Sequence, residues 1–282
     1  MASDTPSGPK RTIVLTGASD GIGAIAARSL AGPETDLVLV GRSPNKLAPI
    51  AAETGATQFT ADYSDLSQVR DLAAEINAAV GTIDVLMNNA GGTFDSSQRT
   101  ADGHELNFQI NHLAPFLLTH LLRDRLAAAP QSLVLNTSSV GNLFGQVDLD
   151  DLDFERRRTL AMRPYGTAKL MNILFTRGIA QRWTGDKIYS AAVHPGPAAT
   201  SFGRDSRFVG LAYRSPLTRL VTITPEQGAA PLIALAERGA DPSVNGVYFN
   251  RHKPNGRENR QAHDQKLIDG LWQRSAELTG LT

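Results

Sequence analysis

Residues 12–23 constrain this chain more than any other stretch. The β-branched apolar run Thr12-Ile13-Val14-Leu15 passes into Thr16-Gly17-Ala18-Ser19-Asp20-Gly21-Ile22-Gly23, and a small-residue helical run follows from Ala24 to Leu30. Strand, glycine turn and helix, in that order, are the context in which a glycine pattern becomes a phosphate site. Glycines let a pyrophosphate reach the backbone, where N–H groups and the positive end of the helix receive it. The spacing here is Gly-x-x-x-Gly-x-Gly, not the general Gly-x-Gly-x-x-Gly, and it makes Gly17, Ser19, Asp20, Gly21, Ile22 and Gly23 candidate contacts. Asp20 also reads as an N-cap.

The same alternation continues down the chain. Asp36 to Val40 reads as a strand, Gly41-Arg42-Ser43-Pro44 as a turn, and a helix runs to about Glu53; Thr57 to Ala61 is a third strand, Leu66 to Val80 a helix, and Ile83 to Met87 a fourth strand ending in Asn88-Asn89-Ala90-Gly91. Strands that alternate with helices imply a parallel sheet covered on both faces, with ligands at the carboxyl ends of the strands. The expected class is α/β, a Rossmann-type doubly wound parallel sheet of about seven strands in one domain over 11–282. In that arrangement the turn after the second strand meets the adenosine ribose, where an Arg accommodates a 2′-phosphate. Arg42 therefore points to NADP(H). Asp20, whose carboxylate would repel that phosphate, keeps NAD(H) open. Asp62 is a candidate for the adenine amine, beside Tyr63.

From Ala101 to Leu126 a helical pattern is interrupted by Pro115, which cannot donate to the carbonyl of Asn111 four residues back. The freed carbonyl and the Asn side chain make Asn111 a candidate water site. The next strand, Ser132 to Asn136, delivers Thr137-Ser138-Ser139; a Ser there can donate to a substrate oxygen or cap a turn. An acidic patch (Asp148, Asp150, Asp151, Asp153, Glu155) followed by Arg156-Arg157-Arg158 reads as a solvated, salt-bridged surface. A helix to about Trp183 then carries Tyr165 and Lys169 on one face, one turn apart. An ammonium near a phenol lowers the phenol's pKa, and a phenol so tuned can act as a general acid/base. The sixth strand, Ile188 to Val193, ends in His194-Pro195-Gly196-Pro197-Ala198-Ala199-Thr200. Beyond it, 201–224 reads as an apolar-studded substrate lid. Thr224-Pro225-Glu226 starts another helix, Val247-Tyr248-Phe249 is the last strand, and Gln261 to Leu278 a final helix.

Composition closes off several classes. Lys+Arg and Asp+Glu balance at 28 each, so no net field favours nucleic acid or an anionic membrane. The absence of cysteine removes disulfides and thiolate chemistry and suits a reducing cytoplasm. His112 and His120 share a predicted helix at a spacing that does not chelate, so no metal is expected. Met1 to Lys10 reads as a flexible tail without a signal peptide, and no run approaches the ~18 apolar residues of a membrane span.

Taken in order, Thr16-Gly17-x-x-x-Gly21-Ile22-Gly23, Asn88-Asn89-Ala90-Gly91, Asn111, Ser139, Tyr165-x-x-x-Lys169 and Pro195-Gly196 resemble the short-chain dehydrogenase/reductase family. The Glu105-to-His112 run, the long Ser139-to-Tyr165 spacing and Lys169-Leu170-x-Asn172-Ile173-Leu174-Phe175 are most similar to its retinol dehydrogenase and WW-domain oxidoreductase branch. The resemblance implies hydride transfer between NADP(H) or NAD(H) and a moderately apolar carbonyl or secondary alcohol. It makes Tyr165 the proton donor or acceptor, Lys169 its tuner and the holder of the nicotinamide ribose, Ser139 the polariser of the carbonyl, and Asn111 the holder of a relay water. It also places Gly17, Gly21 and Gly23 at the pyrophosphate, Asp62 and Asn89 beside adenosine, Thr200 on the nicotinamide side after the Pro195-Gly196 turn, and Ala90, Gly91, Pro195 and Gly196 among the cofactor contacts. Tyr63 and Asp20 depart from the family's usual residues. By analogy a homo-oligomer through the two long helices is expected. The rival readings are a non-catalytic nucleotide-sensing protein on the same fold, and a lyase or epimerase using bound nucleotide.

Overall fold

The computed structural model describes residues 10–156, 162–196 and 223–281. Eight strands, β1 (Arg11–Thr16), β2 (Thr35–Gly41), β3 (Thr57–Thr60), β4 (Val85–Asn88), β5 (Ser132–Thr137), β6 (Ile188–His194), β7 (Val247–Asn250) and β8 (Lys253–Pro254), form one sheet in the order β3-β2-β1-β4-β5-β6-β7-β8. The first seven are parallel, and β8 pairs antiparallel with β7. The sheet thus has one strand more than expected, because β8 is two residues long and ends in a proline, too little for a periodicity to show. The chain order reverses between β1 and β4, the switch point at which doubly wound sheets open a crevice.

Within β1, Ile13 and Leu15 face one side and Val14 the other, as a period of two requires. The first side is covered by α1 (Gly21–Leu30), α2 (Pro44–Thr54) and, beyond the undescribed residues, α8 (Pro225–Arg238), through Ala26, Ala27, Leu47, Leu232 and Leu235. The second is covered by α3 (Leu66–Ala79), the helical segment 106–127 and α7 (Met162–Arg182), through Leu72, Ile76, Phe116, Leu117, Phe175 and Ile179. A third cluster seats α9 (Gln265–Leu278) on α7 through Ile173, Leu174, Ile268 and Leu271. Sheets buried on both faces carry near-continuous apolar runs, as Val85-Leu86-Met87 of β4 and Ala191-Ala192-Val193 of β6 do.

Helix ends follow their caps. Asp20 accepts from the Gly21 N–H at 2.8 Å, so α1 begins at Gly21, three residues before the apolar run. Thr224 and Gln227 form a capping box at the start of α8, with Pro225 in its first turn. The final helix begins only at Gln265, where Asp264 caps it; Arg260–His263 is a separate 3-10 turn.

The expected helix from Ala101 to Leu126 is not one helix. It starts at Leu106, capped by the buried Glu105, and comprises α4 (Leu106–Phe108), a π turn over Gln109–Leu113, α5 (Ala114–Leu121) and α6 (Arg123–Ala127). Pro115 has no N–H for the Asn111 carbonyl, and the chain has widened to a π turn at that point, with the Ala114 N–H bonded to the Gln109 carbonyl.

The acidic patch is less solvated than its composition implies. Asp151 is buried and accepts from the N–H groups of Glu155 and Arg156, while Asp153 accepts from the Glu105 N–H at 2.9 Å and pairs with His104 at 3.0 Å. The patch ties the loop after β5 to the start of α4. The tail up to Pro9, the arginines Arg157 and Arg158, and the lid at 201–224 apart from Ile223 and Thr224 lie outside the described residues. Among the described residues no helix is long and apolar enough to cross a membrane.

Candidate active site

The carboxyl ends of β1, β4, β5 and β6 bring the predicted residues to one edge, and Thr16 fastens the first two ends together. Its hydroxyl donates to the Met87 carbonyl at 3.1 Å and accepts from the N–H groups of Asn89 and Ala90, each at 3.0 Å; Asn89 Nδ2 donates back to the Thr16 carbonyl at 3.0 Å. Gly17 and Gly21 turn with φ +70° and +53°, the region that suits glycine. A Cβ at Gly17 would lie 2.8 Å from Ala90 Cα, and one at Gly23 would strike the Gly17 carbonyl. The loop is therefore packed on itself and on Ala90 with no room for side chains, and a turn lined by backbone in this way fits the pyrophosphate of a dinucleotide.

Arg42 is exposed at the end of β2. Asp20, the residue that argued against a nearby phosphate, is paired with Lys46 at 3.0 Å. Lys46 was not singled out from the sequence, although it lies in the first turn of α2, which follows directly on the turn that carries Arg42. Asp62 follows β3 and spends one carboxylate oxygen on the N–H and hydroxyl of Ser64, at 2.9 and 2.8 Å. Tyr63 turns its ring into the core, where burial raises its phenol's pKa, and its carbonyl accepts from Gln109.

Asn111 is fully buried in the π turn. Its Oδ1 accepts from the Gly92 N–H at 3.1 Å and its Nδ2 donates to the Gly92 carbonyl at 3.0 Å. A Cβ at Gly91 would collide with Asn111 Oδ1 and lie 3.2 Å from Lys169 Nζ, so these two polar atoms converge on one glycine.

Ser139 begins a 3-10 turn, Val140–Phe144, and its Oγ accepts from the Gly141 N–H at 3.1 Å. This turn and α7 approach without side chains between them: a Cβ at Gly166 would be 2.5 Å from the Gly141 carbonyl, and one at Gly145 2.6 Å from that of Gly166. That close packing brings Tyr165 to Ser139. The Tyr165 ring and Ser139 Oγ lie 3.3 and 3.5 Å from one point, the position a Cβ at Gly141 would take. Lys169 Nζ sits 5.7 Å from the Tyr165 ring centre and donates to the Thr137 carbonyl at 3.2 Å. Lys169 is 1% exposed, and burial pushes its pKa down to about 7. The preceding Ser138 faces away from the crevice, donating to the Lys169 carbonyl at 2.7 Å.

Pro195 and Gly196 end β6 at the same edge, Gly196 at φ +104° against Ile223; Thr200 lies outside the described residues. Sequence reasoning missed Thr16 and Lys46 as parts of the site, and for Thr16 the signal was its place as the last β1 residue before the glycine turn.

A sequence model of the family described as short chain dehydrogenase matches residues 11–207. The chain belongs to the short-chain dehydrogenase/reductase family. It is 34% identical to human retinol dehydrogenase 13 over 97% of this chain and 86% of the relative. It is 37% identical to a Streptomyces sp. (strain C5) protein provisionally named daunorubicin C-13 ketoreductase DnrU, over 99% and 96%. A crystal structure of an uncharacterized Mycobacterium Paratuberculosis protein superposes with a TM-score of 0.76 at 30% identity, covering 98% of this chain and 96% of that one. The chain is thus an NAD(P)-dependent oxidoreductase of the retinol dehydrogenase branch, acting on alcohol and carbonyl groups.

Proposed function

We propose that Tyr165 exchanges the proton at the substrate oxygen while a hydride passes between NADP(H) and a carbonyl or secondary-alcohol carbon. The observation that carries this reading is the meeting of the Tyr165 ring and Ser139 Oγ beside Gly141, with the buried Lys169 behind the ring. The bound nicotinamide supplies hydride chemistry, and the protein supplies orientation and charge. Ser139 accepts from the Gly141 N–H, which leaves its own proton to polarise the substrate oxygen. Lys169, charged, stabilises the phenolate form of Tyr165; its pKa near 7 lets that charge respond to working pH. Asn111, anchored on Gly92 and close to Lys169, holds the water that returns protons to solvent. Gly17, Ser19, Asp20, Gly21, Ile22 and Gly23 line the pyrophosphate cradle, with Asp62, the Tyr63 backbone, Asn89, Ala90 and Gly91 along the adenosine side and Pro195, Gly196 and Thr200 by the nicotinamide.

NADP(H) is favoured over NAD(H) because Arg42 has Lys46 beside it and the Asp20 carboxylate is paired. A moderately apolar substrate is favoured by the rim: Val140, Phe144 and Met162 are large apolar side chains left open around Ser139 and Tyr165, Phe144 being 70% exposed. The relatives' names refer to retinol and daunorubicin, both with extended carbon frameworks.

Tyr165→Phe tests the assignment. Turnover with a panel of apolar ketones and NADPH should fall by about 10³-fold, with NADPH affinity within about twofold of wild type. Turnover close to wild type in this variant overturns the mechanism. NADPH binding by the wild-type chain without turnover of any carbonyl or alcohol would favour a sensing role.

A further inference from the structure

Behind Lys169 lies a chain of buried polar groups that the proposed chemistry does not use. His112 follows Asn111 in the π turn and is stacked on Phe108, with Phe175 at its edge. Its Nε2 lies 2.9 Å from the buried hydroxyl of Ser275 on α9. Across α7, Asn172 Nδ2 donates to the Thr137 carbonyl at 3.1 Å, the same oxygen that receives Lys169 Nζ. His112 Nδ1 and Asn172 Oδ1 are both buried with no hydrogen-bond partner at ordinary distance, and Asn172 is the side chain that acts on the His112 ring. Buried polar atoms are rarely left unpaired, and here each lacks what the other offers.

The tautomer follows from the partners. Asn172 is oriented by its Nδ2 bond to Thr137, so it presents an acceptor to the ring, and Nδ1 must carry the proton. Nε2 is then the acceptor for the Ser275 hydroxyl. Burial keeps the imidazole neutral, its pKa pushed down to about 3, so this arrangement persists at any working pH.

We propose that His112 is a positioning residue for Lys169: its Nδ1–H sets Asn172, Asn172 sets the Thr137 carbonyl, and that carbonyl fixes where the Lys169 ammonium sits relative to Tyr165. The π turn places Asn111 against Gly92 and His112 against α7 on successive residues, so one local widening of the backbone serves both. The proposal rests on the reading of Tyr165 and Lys169 given above.

Two replacements of His112 separate this role from mere filling of the core. Asn carries an N–H where Nδ1 stands, whereas Gln reaches the Nε2 position and offers nothing to Asn172. His112→Asn should keep kcat within about twofold of wild type, and His112→Gln should lower kcat about tenfold with KM for NADPH and ketone little changed. His112→Gln should also displace the limb of the kcat–pH profile that Lys169 and Tyr165 set, and Asn172→Leu should reproduce that displacement. A purely structural role would move the melting temperatures of the Asn and Gln variants without separating their pH profiles, so equal profiles overturn the proposal. If either His112 variant fails to fold, Asn172→Leu decides alone: a wild-type kcat–pH profile overturns the proposal and a displaced one supports it. Turnover by Tyr165→Phe would instead sink the reading beneath it, whatever the His112 variants do.

Discussion

At the β1–β4 end of the site the fixing contacts are made by backbone: glycines that tolerate no Cβ, and N–H groups gathered on the Thr16 hydroxyl. At the β5–α7 end they are made by side chains that meet from distant segments, with Lys169, Asn172, His112 and Ser275 all buried. The first kind of construction resists any added atom, and the second resists any removed polar partner. A dinucleotide's phosphates need a rigid concave backbone, whereas proton exchange needs groups whose charge can change. The two ends therefore should fail in different ways.

The largest effect is expected at the backbone end. Gly23→Ala puts a methyl into the Gly17 carbonyl, and NADPH affinity should fall by more than about 100-fold while Tyr165 and Lys169 stay in place. Fluorescence titration with NADPH reads this directly. Near-normal affinity would show that the loop opens easily and that the contrast between the two ends is false.

At the side-chain end, Lys169→Met removes the ammonium and should lower kcat by about 100-fold or more. Its effect on stability has the opposite sign. The folded-state pKa of Lys169 is about 7 against 10.5 for an ordinary lysine, so below pH 7 both folded and unfolded chains hold the proton and the full cost of burying the charge is present. Above pH 7 the folded chain releases it while the unfolded chain keeps it, and stability rises with pH up to about 10.5. Without bound cofactor, Lys169→Met should melt higher than wild type at pH 7, with the gap narrowing by about pH 9.5. A gap that is constant with pH would mean that Lys169 keeps its charge in the folded chain.

Thr16→Val is a smaller perturbation of the backbone end, with the shape kept and the hydroxyl gone. The Ala90 N–H loses its acceptor inside the protein and the Asn89 N–H keeps only the Met87 carbonyl at 2.9 Å, at a cost of about 1–3 kcal/mol in chemical denaturation. NADPH affinity should drop as well, because this hydroxyl aligns the two strand ends that form the crevice. A loss below about 0.5 kcal/mol would show that those N–H groups find water instead.

The two ends also differ in how far they could be read from the sequence. The glycine turn was legible because positive φ at Gly17 and Gly21 and the missing Cβ at Gly23 favour glycine, so spacing alone carried these three residues to the turn between β1 and α1. Tyr165 and Lys169 were legible because four residues is one helical turn. The partners behind them were not: His112 and Ser275 meet from the π turn and α9, 163 residues apart, and no local periodicity couples such positions. Pro115 signalled a disturbance at Asn111, but its form, a π turn that aims two successive residues at different partners, depends on how α5 packs against α7. The acidic patch misled for a related reason: composition reports charge, whereas burial of Asp151 and the pairing of Asp153 depend on which loop lies across it.

The smallest expected effect concerns the rim of the backbone end, where Arg42, Lys46 and Asp20 are exposed and screened. Three formal charges, those of Arg42, Lys46 and Asp20, stand beside the turn after β2 and sum to one positive charge. If a 2′-phosphate sits there, Arg42→Ala should weaken NADPH about tenfold and leave NADH within about twofold, since a single exposed contact to phosphate is worth roughly 1–2 kcal/mol. Lys46→Ala acts less directly: it removes a cation 3.0 Å from the Asp20 carboxylate, and should shift the NADPH-to-NADH preference in the same direction by a few-fold, more at low salt than at high. Equal losses for both cofactors in Arg42→Ala would place the guanidinium on the adenine ring or the ribose instead, and the preference for NADP(H) would then have to come from elsewhere in the crevice.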